Sequence, residues 1–218
     1  MAETVGGEPC DRQDLPAGEF SEWTAGMRAA LRGEQASTVP CGDCSACCTS
    51  SQFVHVSPEE TDALAHIPAP LLFAAPLRPP GHVVIGYDER GHCPMLVDGR
   101  CSIYEHRPRA CRTYDCRVFP AAGVEIVDED KDAIARRARR WRFTFPTDAD
   151  RARHAAVQAA AAFLRDHSDV LPSAVTLTAT QLAVLAIEVH EVFLRRRADP
   201  DPDEIRAALA RLAGLRVS

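Results

Sequence analysis

Phe20, Trp23, Met27 and Leu31 recur three to four positions apart in "PAGEFSEWTAGMRAALRGE", residues 16–34. That spacing lines one face of an α-helix, and Gly33 is the residue type that closes one. In "SPEE", residues 57–60, Ser57 offers an N-cap, Pro58 a first helical residue and Glu60 a capping-box partner, which predicts a short helix to about His66. The next stretch, "IPAPLLFAAPLRPPG", holds five prolines and cannot be one helix. "HVVIGY" at 82–87 reads as a strand, "GVEIV" at 123–127 as a second and "RFTF" at 142–145 as a third. From Cys93 to Cys116 there is no clean period of either kind, the pattern expected where ligands rather than apolar stripes dictate the backbone path.

Beyond Pro146 the chain turns alanine-rich. Thr147 with Asp150 predicts a capped helix to about His167; a second is expected from about Thr180 to Arg197, and "DPDE" at 201–204 opens a last one ending near Gly214. Leu182, Leu185, Val189 and Phe193 form an apolar stripe suited to a core or to contact with a partner helix. The expected fold class is α+β, predominantly helical: an irregular cysteine-rich module with a few short strands, flanked by helices. Its parts are an N-terminal helical arm (1–40), a cysteine-cluster module (41–120), short strands with a basic helix (121–146) and a C-terminal helical region (147–218).

At 218 residues and 46% hydrophobic, the chain can bury a sizeable core. Its net charge of -6 argues against general nucleic-acid binding, which rests on neutralising phosphates. The exception is local: "RRARRWR", residues 136–142, with its interleaved Trp141, could face phosphate, but reads first as a solvated helix face whose arginines complement the helix dipole. The N-terminus lacks a basic stretch followed by an apolar run, and "AAVQAAAAFL" and "LAVLAIEV" are too short to span a bilayer, so a cytoplasmic location is expected.

The nine cysteines are concentrated, with Cys10 apart and eight between residues 41 and 116. In a reducing compartment such an even set favours metal over disulfides, with a low-pKa thiol redox pair such as Cys44 with Cys47, or Cys47 with Cys48, as a further reading. "CGDCSACC" spaces Cys41, Cys44 and Cys47 by two residues each, which lets a tight loop wrap thiolates around one centre with amide N–H groups toward the sulfurs. Gly42 permits a positive φ there. The side chain of adjacent Cys48 diverges from that of Cys47, so Cys48 is expected to have a second role. Cys93, Cys101, Cys111 and Cys116 lack the second pair of CxxC knuckles that two zinc ribbons would need, and the C-x2-C-x2-C run with a remote Cys93-Pro94 is closer to a [4Fe–4S] pattern. Arg100, Arg107, Arg109, Arg112 and Arg117 could offset thiolate charge, or bind an anion. His55 and His92 are candidate additional ligands. No P-loop, GxGxxG or Ser-His-Asp grouping accompanies them.

"CGDCSACC" followed by "CPMLVDGRCSIYEHRPRACRTYDC" resembles the YkgJ family of cysteine-cluster proteins, described as chelating zinc or iron through a CxxCxxCC segment. The resemblance covers about residues 41–120. It implies Cys41, Cys44, Cys47, Cys48, Cys93, Cys101, Cys111 and Cys116 as metal ligands, with Tyr104, Arg107, Pro108 and Arg112 as framework around the cofactor. Flagellin lysine methylases carry a similar segment, so two functions stay open: an accessory metal protein that docks an unidentified protein through its C-terminal helices, and a metalloenzyme using an iron–sulfur centre for redox or methyl transfer.

Overall fold

The expected first helix divides in two. In the computed structural model, which describes residues 13–215 apart from 38, 77, 172–176 and 196–199, Leu15–Glu19 form strand β1 and Phe20–Arg32 form helix α1. A break in pairing between Pro16 and Gly18, where Gly18 has φ +94°, accommodates the proline that cannot donate to a ladder. Gly33 closes α1 at φ 81°, and the Glu34 N–H donates to the Ala29 carbonyl at 3.0 Å.

A three-stranded antiparallel sheet follows, of β2 (Val54–Val56), β3 (Leu72–Ala74) and β4 (Val83–Ile85) in the order β2-β4-β3. β3 lies inside the proline-rich stretch that offered no strand signal; as an edge strand it tolerates proline neighbours. Helix α2 spans Thr61–His66 with Glu60, not Ser57, at its N-cap. The carboxylate half of the expected box does form, since Glu60 Oε2 accepts from the Ser57 N–H at 2.9 Å, but the intervening residues make a turn. β5 (Leu96–Val97) and β6 (Arg100–Cys101) make a hairpin whose two-residue turn, Asp98 at φ 47° and Gly99 at φ 76°, has the left-handed pair a type I′ turn demands.

The remaining elements are helices α3 (Arg109–Thr113), α4 (Val118–Ala122) and α5 (Asp132–Ala138), strand β7 (Trp141–Thr144), and helices α6 (Asp148–Asp166), α7 (Ala179–Leu194) and α8 (Pro202–Leu215). β7 pairs in parallel with β1. The strand expected at 123–127 is absent. Gly123 at φ 62° instead ends α4, and the Val124 N–H folds back to the Phe119 carbonyl at 3.0 Å, so Val124 and Ile126 pack on the helical core while Val127 is exposed. The capping box at Thr147 and Asp150 forms as expected, and Asp150 Oδ1 also accepts from the Ser21 N–H at 3.2 Å, which ties the starts of α6 and α1 together. The end of the α7 prediction, residues 196–197, lies outside the described residues.

Two apolar cores result. The larger joins α1, α4, α5, α6, α7 and α8, and it absorbs the α7 stripe: Leu182 and Val189 are buried with Ala183, Ala186 and Ile187. The smaller gathers Val56, Ala63, Ile67, Ile85, Met95 and Ile103 from the sheet, α2 and the hairpin. Among the described residues, no helix is long and apolar enough to cross a membrane.

Candidate metal centre

The cysteines sit where the two cores meet. Cys116 packs against the helical core, while Cys93 and Cys101 pack against the sheet core. Between them runs the first loop, with Gly42 at φ 57° as its spacing predicted. The Cys44 N–H donates to the Cys41 carbonyl at 3.1 Å, and a 3₁₀ turn, Ala46–Thr49, carries Cys47 and Cys48. Packing of that turn on α5 sets its height.

One backbone bond joins the two halves of the motif, from the Cys93 N–H to the Cys48 carbonyl at 2.7 Å. Asp88 shapes the approach to it, accepting on Oδ1 from the N–H groups of Arg90 (2.9 Å) and His92 (2.8 Å). Cys101 is placed by the hairpin, Cys111 by α3, and Cys116 by the link from α3 to α4. All eight thiols are free, with Cys47 the exposed one and the rest half-buried.

Cys116 is the most firmly held. On either side of it, Asp115 and Arg117 form a buried ion pair, Nη2 to Oδ2 at 2.7 Å, and the same carboxylate accepts from Trp23 Nε1 (2.9 Å), Ser37 Oγ (3.0 Å) and the Arg117 N–H (2.9 Å). Arg117 Nη1 then donates to the Ala17 carbonyl at 3.1 Å, reaching β1. From β7, Trp141 Nε1 donates to Cys116 Sγ at 3.1 Å. Similar donation reaches Cys93 from the Met95 amide and Cys47 from the Cys48 amide. N–H groups aimed at sulfur favour the thiolate, which is the ligand form.

The mutual electrostatic influence of the thiols divides them. Cys116 is raised by burial and by the charges of Asp115, Cys41 and Cys44; Cys41 is raised by burial, Cys44 and Cys47. Cys48 is raised by its hydrogen bond to Cys47, then by burial, Cys47, Cys93 and Cys101; Cys93 by burial, Cys101 and Cys47; Cys111 by burial, Cys47, Cys93 and Cys101. One set is therefore Cys41, Cys44 and Cys116, the other Cys48, Cys93, Cys101 and Cys111. Cys47 lies between them, its own pKa lowered by the hydrogen bond from Cys48. Burial holds Cys41 up to about 11 and Cys111 and Cys116 up to about 12, so these thiols are protonated at neutral pH until a cation displaces the proton.

The five arginines do not act alike. Arg107 stacks on the Tyr104 ring at 3.6 Å, donates Nε to the Tyr104 carbonyl at 2.8 Å, and lowers Cys47 and Cys111 by its charge. Arg117 is committed to Asp115, Arg100 meets exposed Asp43 at 3.7 Å, Arg109 donates to the Leu31 carbonyl at 3.3 Å, and the charge of Arg112 acts on Asp62. His55 pairs with His82 at 2.9 Å, and the N–H of His92 serves the Asp88 turn. Cys10 lies outside the described residues.

Two contributors came from "RRARRWR", read from sequence only as a basic face. Arg137 donates Nη2 to the Cys41 carbonyl at 3.1 Å, lowers the Cys41 thiol and lies 5.1 Å from the Trp141 ring; Trp141 supplies the sulfur donor. An interleaved aromatic just past the basic helix was the available signal. Beside the first loop, Cys41, Cys44, Ser45, Arg136, Arg137 and Arg140 line a cleft of about 400 Å³.

Eight free thiols, several facing N–H donors and set between two cores, define a cysteine-cluster module suited to chelating a thiophilic metal. Residues 40–137, a little under half of the chain, match the family model described as "CxxCxxCC: Putative zinc- or iron-chelating domain". The match runs past the last cysteine to Arg137, the residue that clamps the Cys41 carbonyl. Comparison with curated proteins finds no match, and neither does comparison with solved structures.

Proposed function

We propose that the module holds iron–sulfur clusters in two thiolate groups, Cys41, Cys44, Cys47 and Cys116 in one and Cys48, Cys93, Cys101 and Cys111 in the other, as a YkgJ-type accessory metal protein. The observation that carries this reading is that Cys116 packs against the helical core while Cys93 and Cys101 pack against the sheet core; the two-residue spacing assigns Cys47 with Cys41 and Cys44. Iron–sulfur is favoured over zinc by the C-x2-C-x2-C run with a remote Cys93-Pro94, which is closer to a [4Fe–4S] ligand pattern than to the paired knuckles of zinc ribbons.

Bound clusters would supply one-electron redox capacity and cross-links between the cores; the chain contributes thiolates, N–H donors to sulfur and the Arg107 and Arg137 charges. A second reading, a redox or methyl-transfer enzyme, is favoured by the arginine-lined cleft that opens on Cys41 and Cys44, where an anionic substrate would lie beside a cluster.

The test is anaerobic purification with iron, zinc and acid-labile sulfide analysis of wild type, Cys44→Ser and Cys101→Ser. Brown protein with sulfide matching iron, and loss of about half the iron in each variant, is the expected result. Colourless protein with stoichiometric zinc would overturn the cluster assignment, and complete loss from either single variant would overturn the two-group assignment.

A further inference from the structure

Away from the cysteines, two elements of the sheet-side core bring three ligand-type side chains together at the surface. Asp62 and His66 stand four residues apart on α2, and the 3₁₀ turn Tyr104–His106 places His106 over them. His106 Nδ1 is 3.0 Å from Asp62 Oδ2 and 3.1 Å from Oδ1, and His66 Nδ1 is 3.7 Å from Oδ1. The two imidazoles lie face to face, with centroids 3.4 Å apart and planes within 4°. His66 Nδ1 also donates to the Asp62 carbonyl at 2.8 Å, so its proton must leave before that nitrogen can take a metal.

The frame beneath is fixed. Ala63 and Ile67 anchor α2 in the sheet-side core, and Ile103 anchors the turn in the same core. Glu60 bridges the two segments, accepting from the Ser57 N–H on one oxygen and from the Arg109 N–H on the other.

We propose that Asp62, His66 and His106 form a second, cysteine-independent metal site that takes a single borderline divalent cation, zinc above all. One ligand atom from each of the three residues lies within 4.8 Å of the other two. Nitrogen and oxygen ligands at about 2.0–2.2 Å in tetrahedral geometry stand about 3.3–3.6 Å apart, and the contacts of 3.0 to 3.7 Å around Asp62 bracket that span. Two imidazoles with one carboxylate suit zinc, ferrous iron or nickel; magnesium and calcium demand more oxygen ligands than the site offers. The nearby Arg112 charge, which acts on Asp62, further disfavours a purely ionic site. With three protein ligands and side-chain exposures of 69%, 41% and 39% for Asp62, His66 and His106, at least one coordination position faces solvent. Three ligands and an open position distinguish catalytic or exchangeable zinc sites from closed structural ones.

The experiment is calorimetric titration of zinc into full-length protein whose cysteine centre is already loaded, with iron and sulfide content monitored throughout. Wild type is expected to take up one further zinc. Loss of a partner that merely orients a ligand costs about 10–100-fold in metal affinity, so His66→Gln and His106→Gln should each weaken that uptake at least about ten-fold with cysteine-bound metal unchanged. His167→Gln, at the exposed end of α6, is the control and should bind as wild type. Ring resonances of His66 and His106 in wild type, followed by NMR, give a second readout independent of variant folding, and both should shift with one equivalent of zinc. No uptake beyond the cysteine centre, uptake equal in all variants, or zinc-dependent shifts at other histidines only would each overturn the proposal.

Discussion

Replacing Asp115 with alanine should do more damage than removing any single exposed charge. Its carboxylate accepts from Trp23 Nε1, Ser37 Oγ, the Arg117 N–H and the Arg117 guanidinium, and both members of the ion pair are buried, at 3% and 7% exposure. Breaking a buried pair by removing one partner leaves an uncompensated charge and costs about 3–5 kcal/mol. Against a total stability of about 5–15 kcal/mol for a domain, that is a fifth or more of the margin. Asp115→Asn keeps the shape and an acceptor for Trp23 but still strands Arg117, so it should retain most of the loss. Adding Arg117→Met to Asp115→Asn removes the stranded charge and should recover about 0.5–3 kcal/mol, the range of coupling between residues in direct contact. Urea unfolding at fixed metal saturation measures each term. Because the network fixes the backbone on either side of Cys116, metal content should fall in Asp115→Ala as well. A loss below about 1 kcal/mol with full metal retention would refute the view that this pair organises the Cys116 side of the centre.

Trp141→Phe keeps the ring in the core but removes the N–H donated to Cys116 Sγ, so metal should stay bound while the optical or redox signature of the loaded centre shifts; an unchanged signature would show that this bond does not tune the centre. In metal-free protein, burial holds Cys41 at about 11 and Cys111 and Cys116 at about 12 against an ordinary 9.0. A raised pKa contributes stability below the ordinary value that is lost as pH rises, so thermal unfolding of the stripped protein should move to lower temperature between pH 9 and 12, less so in Cys111→Ser. Metal uptake should run the other way, releasing protons and tightening as pH increases, as a pH-stat titration would read. Chelation should open the segment around 41–120 to protease while α6 and α7, capped by Thr147 and Thr178 and packed on one another, stay protected; mapped cuts spread evenly over both regions would contradict this.

What the local sequence could encode, it encoded well. The box at Thr147 and Asp150, the Gly33 stop, the positive φ of Gly42 and the α7 stripe all rest on interactions within a few residues, so spacing and residue type were enough to place them. The cysteine spacing likewise pointed to thiolate chelation of zinc or iron, in agreement with the domain described for residues 40–137. Failures came where one local pattern served two purposes. "GVEIV" alternates like a strand, yet Gly123 at φ 62° turns it into a helix terminus, and Pro16, which reads as a helix start, lies in β1 because a distant partner, β7, pairs with it.

The centre's surroundings were decided by tertiary structure alone. Trp23 and Asp115 are 92 residues apart, Arg137 and Cys41 are 96, and Asp62 and His106 are 44. No periodicity links such pairs, because each contact follows from how α1, α5 and the hairpin pack around the two cores. Sequence fixes which side chains have the chemistry to hold a metal; only packing over those separations decides which of them meet, and which charges and N–H donors reach each sulfur.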